Sequence, residues 1–209
     1  MVGAARLDNF TDAAFAFSVS LLVIGGAGAP ADSAQLARAL ADIPAFAVGF
    51  AIVVTFWLGH LRWRRLRGEG DAASVFLTLL LVFLVLIYVQ PLRGMAAATG
   101  LWFTGQGKGF GGSLRTLFAV YGTGFIAMSL VSAALFGNAL RDPGLNAAAR
   151  SRARVERTIW LILAATGVVS VAVSLTRWGV WAGMVYATLP ITIHLLTRRH
   201  AREGARAAS

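Results

Sequence analysis

Long apolar segments broken by short polar clusters run through the whole chain. Six of them are long enough to cross a bilayer: 7–27, 43–61, 72–91, 114–136, 157–175 and 178–197. Crossing the hydrocarbon core takes about 20 apolar residues in a helix. The pattern therefore predicts an all-α membrane protein with six transmembrane helices in a single domain, 1–209. Pro44 sits near the start of the second span, where its missing N–H costs little. Pro91 is expected to close the third span, and Asp142-Pro143-Gly144 to turn the chain between the fourth and fifth. The stretch 92–113 carries Gly100, Gly105, Gly107, Gly109, Gly111 and Gly112. It reads as a surface loop, with Trp102, Phe103 and Phe110 as interface anchors. Only two or three residues around Arg177 separate the last two spans, so they should form a tight antiparallel hairpin.

Composition agrees with this reading. Of 209 residues, 57% are hydrophobic and 13% charged, and the mean hydropathy is +0.71. Soluble domains carry about 25% charged residues, so a soluble enzyme and a disordered chain are both excluded. There is no cysteine, which removes thiolate metal sites and thiol nucleophiles. The first span, with Arg6, Asp8 and Asp12 near its start, does not read as a cleaved signal peptide.

The net charge of +10 is informative through its placement. Fourteen of the 19 basic residues fall on one side of the spans: Arg6, Arg62, Arg64, Arg65, Arg67, Arg141, Arg150, Arg152, Arg154, Arg157, Arg198, Arg199, Arg202 and Arg206. Arg38, Arg93, Lys108, Arg115 and Arg177 fall on the other. Cytoplasmic loops carry the excess of basic residues, so both termini are expected inside the cell. The charge becomes a collar facing anionic headgroups of the inner leaflet rather than a nucleic-acid surface.

Ionisable groups inside spans are rare and mark functional positions. Asp12 is the one carboxylate well inside a span. Asp8 reads as a first-turn acid stabilised by the helix dipole. Arg6 and Asp12 are six positions apart, about 120° around a helix, so each should need partners on another helix. The second span supplies donors at the same depth: Trp57 and His60, three apart on one face. Phe17, Ser20, Leu21 and Ile24 form a stripe at helical spacing. Small residues of the fourth span (Gly122, Gly124, Ala127, Ser129, Ser132, Ala133) permit close helix packing in lipid, within or between subunits.

Arg6-x-x-x-Phe10-Thr11-Asp12, followed by an apolar run, resembles the RxxxFSD signature that opens the first helix of the transmembrane protein 175 family of potassium channels. Trp57-x-x-His60 is similar to that family's WxxH, and the leucine-rich third span ends in proline as the family's does. The likeness covers roughly the first 95 residues; beyond them only the number of spans agrees. It implies a bacterial plasma-membrane protein with one six-helix unit per chain, assembled as a homotetramer around a pore lined by the first helix. It further implies a constriction at Phe17, a selectivity-related hydroxyl layer at Ser20, and apolar rings at Leu21 and Ile24. Arg6, Phe10, Thr11, Asp12, Trp57 and His60 would hold the bundle together. Phe17 stands where the family usually has a branched aliphatic residue, Thr11 replaces serine, and Thr78 lies near the position of a third-helix asparagine.

The expected function is that of a passive, potassium-preferring cation channel, with potassium as permeant ion and no cofactor. A small proton-coupled secondary transporter using Asp12 and His60 is the alternative. It would favour broken helices and internal repeats, and neither is visible. No HExxH, GxSxG or Walker pattern occurs, and His60, His194 and His200 are too dispersed for a metal cage, so an enzyme is not expected.

Overall fold

The computed structural model describes residues 4–24, 31–41, 43–67, 71–103, 114–176 and 185–186. Among these the chain forms six α-helices and no strand: α1 (Ala4–Ile24), α2 (Ser33–Ala41), α3 (Ile43–Leu66), α4 (Ala72–Phe103), α5 (Leu114–Ala139) and α6 (Ala147–Ser174). Four have the length and apolarity to cross a membrane: Phe46–Leu66, Ala72–Gly94, Thr116–Ala139 and Ala147–Ser174. Helix α1 corresponds to the first expected span. The nine-residue α2 is too short to cross. The expected sixth span, 178–197, and its hairpin around Arg177 lie outside the described residues apart from Val185 and Tyr186.

Local chemistry sets the helix starts. Asp32 accepts the backbone N–H of Gln35 at 2.7 Å, and the Gln35 side chain accepts that of Ala31. This reciprocal arrangement satisfies donors that a first turn leaves open. Asp71 caps α4 through the N–H of Ser74 at 2.8 Å, and Asn146 caps α6 through that of Ala149 at 2.8 Å. Between α5 and α6, Asp142 accepts the N–H of Gly144, making the expected turn. Arg150 reaches back from α6 to the carbonyls of Leu140 and Asp142, both at 3.1 Å, serving groups at the end of α5.

Two expectations are corrected. Pro91 does not end the third span: α4 runs through it to Phe103, so 92–103 is helix rather than loop. Proline removes a backbone donor, but Val89 and Leu92 on either side are both in the buried core, and that packing holds the helix together across the gap. The second correction concerns α6, which begins at Ala147, ten residues before the expected 157. The Asn146 cap and three alanines start a helix that the arginines had made look like a loop.

Lipid tails are as apolar as leucine, so burial alone does not drive helices together in a bilayer; close packing and interhelical hydrogen bonds do. Helices α5 and α6 pack most extensively, followed by α4 with α5 and α1 with α4. Gly122 lies against Val171 of α6 and Gly124 against Tyr88 of α4. The small residues of α5 thus serve contacts within the chain. At the centre, the Phe56 ring lies 5.1 Å from Trp160 and 5.7 Å, edge-on, from Phe125. Gly59 is required here, because a Cβ at this position would overlap the Trp160 ring.

Candidate functional site

Helix α1 has two opposite faces. Leu7, Thr11, Phe15, Ser18 and Leu22 recur every three or four positions and are buried. They pack toward α3 and α4, the helices that α1 contacts. The two hydroxyls on this face turn back on their own helix: Thr11 donates to the Leu7 carbonyl and Ser18 to that of Ala14, both at 2.8 Å. The opposite arc carries Arg6, Asn9, Phe10, Ala13, Ala16, Phe17 and Ser20, all exposed. Phe17 is 57% exposed and Phe10 53%. Asn9, Ala13 and Ser20 lie near the middle of this free arc, and Phe17 lies about 60° to one side of Ser20, from 100° per helical residue. Leu21 is half-buried against the core. Ile24 ends α1, and its side chain lies outside the described set.

The Ser20 hydroxyl donates to the Ala16 carbonyl at 3.1 Å. Its proton is thereby spent within the helix while its oxygen stays on the exposed face. A hydroxyl oxygen has two acceptor lone pairs, so this geometry presents an acceptor, not a donor, to whatever the arc faces.

The N-terminal half of α1 is fastened to α3. Trp57 Nε1 donates to Asp12 Oδ1 at 2.8 Å, which joins the two residues that sequence depth had paired. His60 does not join them. It is buried, its Nε2 lies 3.3 Å from Thr78 Oγ1 of α4, and its ring packs 5.2 Å from that of the fully buried Trp63. Thr78, noted near the family's asparagine position, is thus the partner of His60.

Asp8 is not a dipole-stabilised cap. Its carboxylate takes both arms of the Arg64 guanidinium, at 2.6 and 3.0 Å, a fork geometry that strengthens ion pairs. Arg6 is exposed and has no ion pair or hydrogen-bond partner among the described residues. Phe10 projects outward rather than into the bundle.

Sequence reasoning missed a second polar knot at the same end. Asp71 accepts from the Ser74 hydroxyl at 2.7 Å and from Asn138 Nδ2 at 3.0 Å, and it pairs with Arg67 at 3.1 Å. Arg67 also donates to the Asn138 carbonyl at 3.0 Å. These contacts tie the ends of α3, α4 and α5 together. The Ser74 hydroxyl and N–H, with Asn138, hold the Asp71 carboxyl down to about 2 from its ordinary 3.8. The signal was legible as Asp71-x-x-Ser74, a helix-start pattern. Arg62 of α3 completes the set by pairing with Glu156 of α6 at 2.8 Å.

No group of three or more His, Cys, Asp or Glu side chains that could hold a metal occurs among the described residues. Helices of this length and apolarity, arranged around one packed core, define a multi-span helical membrane protein.

Residues 6–90 match the model of the family described as endosomal/lysosomal potassium channel TMEM175, and over that segment the chain is similar to it. A curated protein of Marivirga tractuosa named "Potassium channel" is 26% identical over 151 residues, 67% of this chain. The match spans 61% of that relative, less than two thirds of its length. The crystal structure of a variant of the potassium channel MtTMEM175, in complex with a nanobody–MBP fusion, superimposes with a TM-score of 0.80 at 22% identity. It covers 96% of this chain and 95% of the other. A lysosomal potassium-selective channel TMEM175 homolog from Chamaesiphon minutus gives a TM-score of 0.67 at 20% identity, covering 94% and 97%. At these identities the solved structures establish the fold.

Proposed function

We propose that the chain is the subunit of a homotetrameric, potassium-preferring passive cation channel in the plasma membrane of a bacterium, with both termini in the cytoplasm. Four copies of α1 line the pore. The observation that carries this reading is the exposed arc of α1, which bears Arg6, Asn9 and Ser20 on a helix otherwise packed into the bundle. Polar residues on a bundle surface suit a water-filled axis better than acyl chains.

On this reading the Phe17 rings, with Leu21 and Ile24 beyond them, form a dewettable constriction. The Ser20 oxygens offer acceptors that partly replace an ion's hydration shell. Neither carries charge, so discrimination between potassium and sodium is modest. The Asp12–Trp57 and Asp8–Arg64 contacts fix the azimuth of α1, and so decide which residues face the axis. Arg6, unpartnered among the described residues, pairs across subunits. The match to the TMEM175 family and the channel fold support the reading; the relatives' names supply the ion.

The described helices run unbroken, including α4 through Pro91, which speaks against a carrier built on discontinuous helices. The test is current across planar bilayers containing the purified protein. Ohmic, potassium-favouring single-channel steps are expected; saturable flux without steps would overturn the reading.

A further inference from the structure

A groove of about 590 Å³ opens between α4, α5 and α6, away from the free arc of α1. Leu77, Leu130 and Leu161 form its apolar part, and Arg141 and Arg157 its cationic part, with Gly137 between. The polarity runs along the helices. Arg141 follows the end of α5, whereas Leu130 lies eleven residues deeper, about 16 Å at 1.5 Å per residue. Leu77 likewise lies deeper in α4 than its capped start. Having no side chain, Gly137 leaves the groove open: the nearest atom to a Cβ placed there is Arg157 Nε, at 3.6 Å.

The local acids are already engaged. Asp71 is held by Arg67, Ser74 and Asn138, Glu156 by Arg62, and Asp142 by the N–H of Gly144. Arg141 and Arg157 are both exposed, and neither pairs with a carboxylate among the described residues. Two guanidiniums without a carboxylate partner among the described residues, at one end of an apolar trough, complement the charge and hydrophobic order of an anionic phospholipid. Guanidinium recognises phosphate oxygens in a planar fork, and basic pockets between transmembrane helices on the cytoplasmic side hold anionic headgroups.

We propose that this groove is a binding site for one anionic phospholipid of the inner leaflet. Its phosphate lies between Arg141 and Arg157, and an acyl chain lies along Leu77, Leu130 and Leu161. The proposal rests on the membrane orientation given above and on no property of the pore.

The test uses the full-length protein in phosphatidylcholine nanodiscs doped with phosphatidylglycerol, with lipids retained on the released oligomer counted by native mass spectrometry. About tenfold preferential retention of phosphatidylglycerol is expected, falling to parity in the Arg141→Gln/Arg157→Gln variant. The Arg152→Gln/Arg154→Gln control, on the same helix but outside the groove, should keep the preference. Gly137→Leu, which fills the groove without changing charge, should lose it and covers the case in which the double variant fails to fold.

Survival of the preference in both groove variants would overturn the site, as would an equal fall in the control, which would mean a diffuse basic collar. Displacement of the lipid by inorganic phosphate alone would reduce the groove to an ion site. Disulfide cross-linking of Leu130→Cys between subunits would assign it to a second copy. Retained lipid with no cation current fails the channel reading alone; current with no selective retention fails this proposal alone.

Discussion

The indole N–H of Trp57 and the carboxylate of Asp12 meet at 2.8 Å, joining α3 to α1 across 45 positions of sequence. A hydrogen bond to a charged acceptor contributes about 1.5–3 kcal/mol when buried. Asp12 is exposed in the subunit, so about 1 kcal/mol is the appropriate scale. Trp57→Phe should lower the thermal midpoint in detergent. In a double-mutant cycle with Asp12→Ala the coupling should be near that value. A coupling of zero would mean that the bond contributes nothing to holding α1.

Gly59→Ala drives a methyl group into the Trp160 ring. Overpacking of this kind costs about 1–3 kcal/mol. Adding Trp160→Phe should recover part of the loss by making room. Thermal unfolding of the single and double variants checks this, and additive losses would contradict it.

Phe17→Ala should raise single-channel conductance, because it removes one of the two aromatic rings from the exposed arc. Ser20→Ala should shift the potassium-to-sodium permeability ratio with a smaller effect on conductance. Reversal potentials under bi-ionic conditions measure that ratio directly. Unchanged conductance in Phe17→Ala would remove Phe17 from the constriction.

Asp71 links acidity to stability. Its carboxyl titrates at about 2 in the fold against 3.8 ordinarily. A depressed folded value means that the unfolded chain binds the proton more readily. The stabilisation is therefore complete above about pH 4 and disappears as pH falls from there toward 2. Asp71→Asn should lower the thermal midpoint at neutral pH and flatten its decline over that acid window. A parallel decline in the variant would assign the acid sensitivity to other carboxylates.

The five long helices and the Asp12–Trp57 pair were readable from residue order. A bilayer demands long apolar runs, and a lone carboxylate in one of them calls for a donor at its own depth. His60 was not placed correctly by the same logic. Its bond to Thr78 joins two uncharged groups, and nothing in hydropathy distinguishes a buried hydroxyl on α4 from its apolar neighbours. The Asp71 knot escaped because Asp71, Arg67 and Asn138 lie at span ends, where polar residues pass for solvated ones. The path of α4 past Pro91 depends on Leu92 finding a seat among residues of other helices, a tertiary effect absent from any local pattern.

The 32 residues of α4 make a rod about 48 Å long at 1.5 Å per residue. Its apolar window ends at Gly94, and nine further helical residues, about 14 Å, continue beyond it. They do so at the end remote from the arginine-rich turns. That unbroken rod past Pro91 offers a stiff helical seat onto which an antibody fragment or a fiducial tag could be grafted.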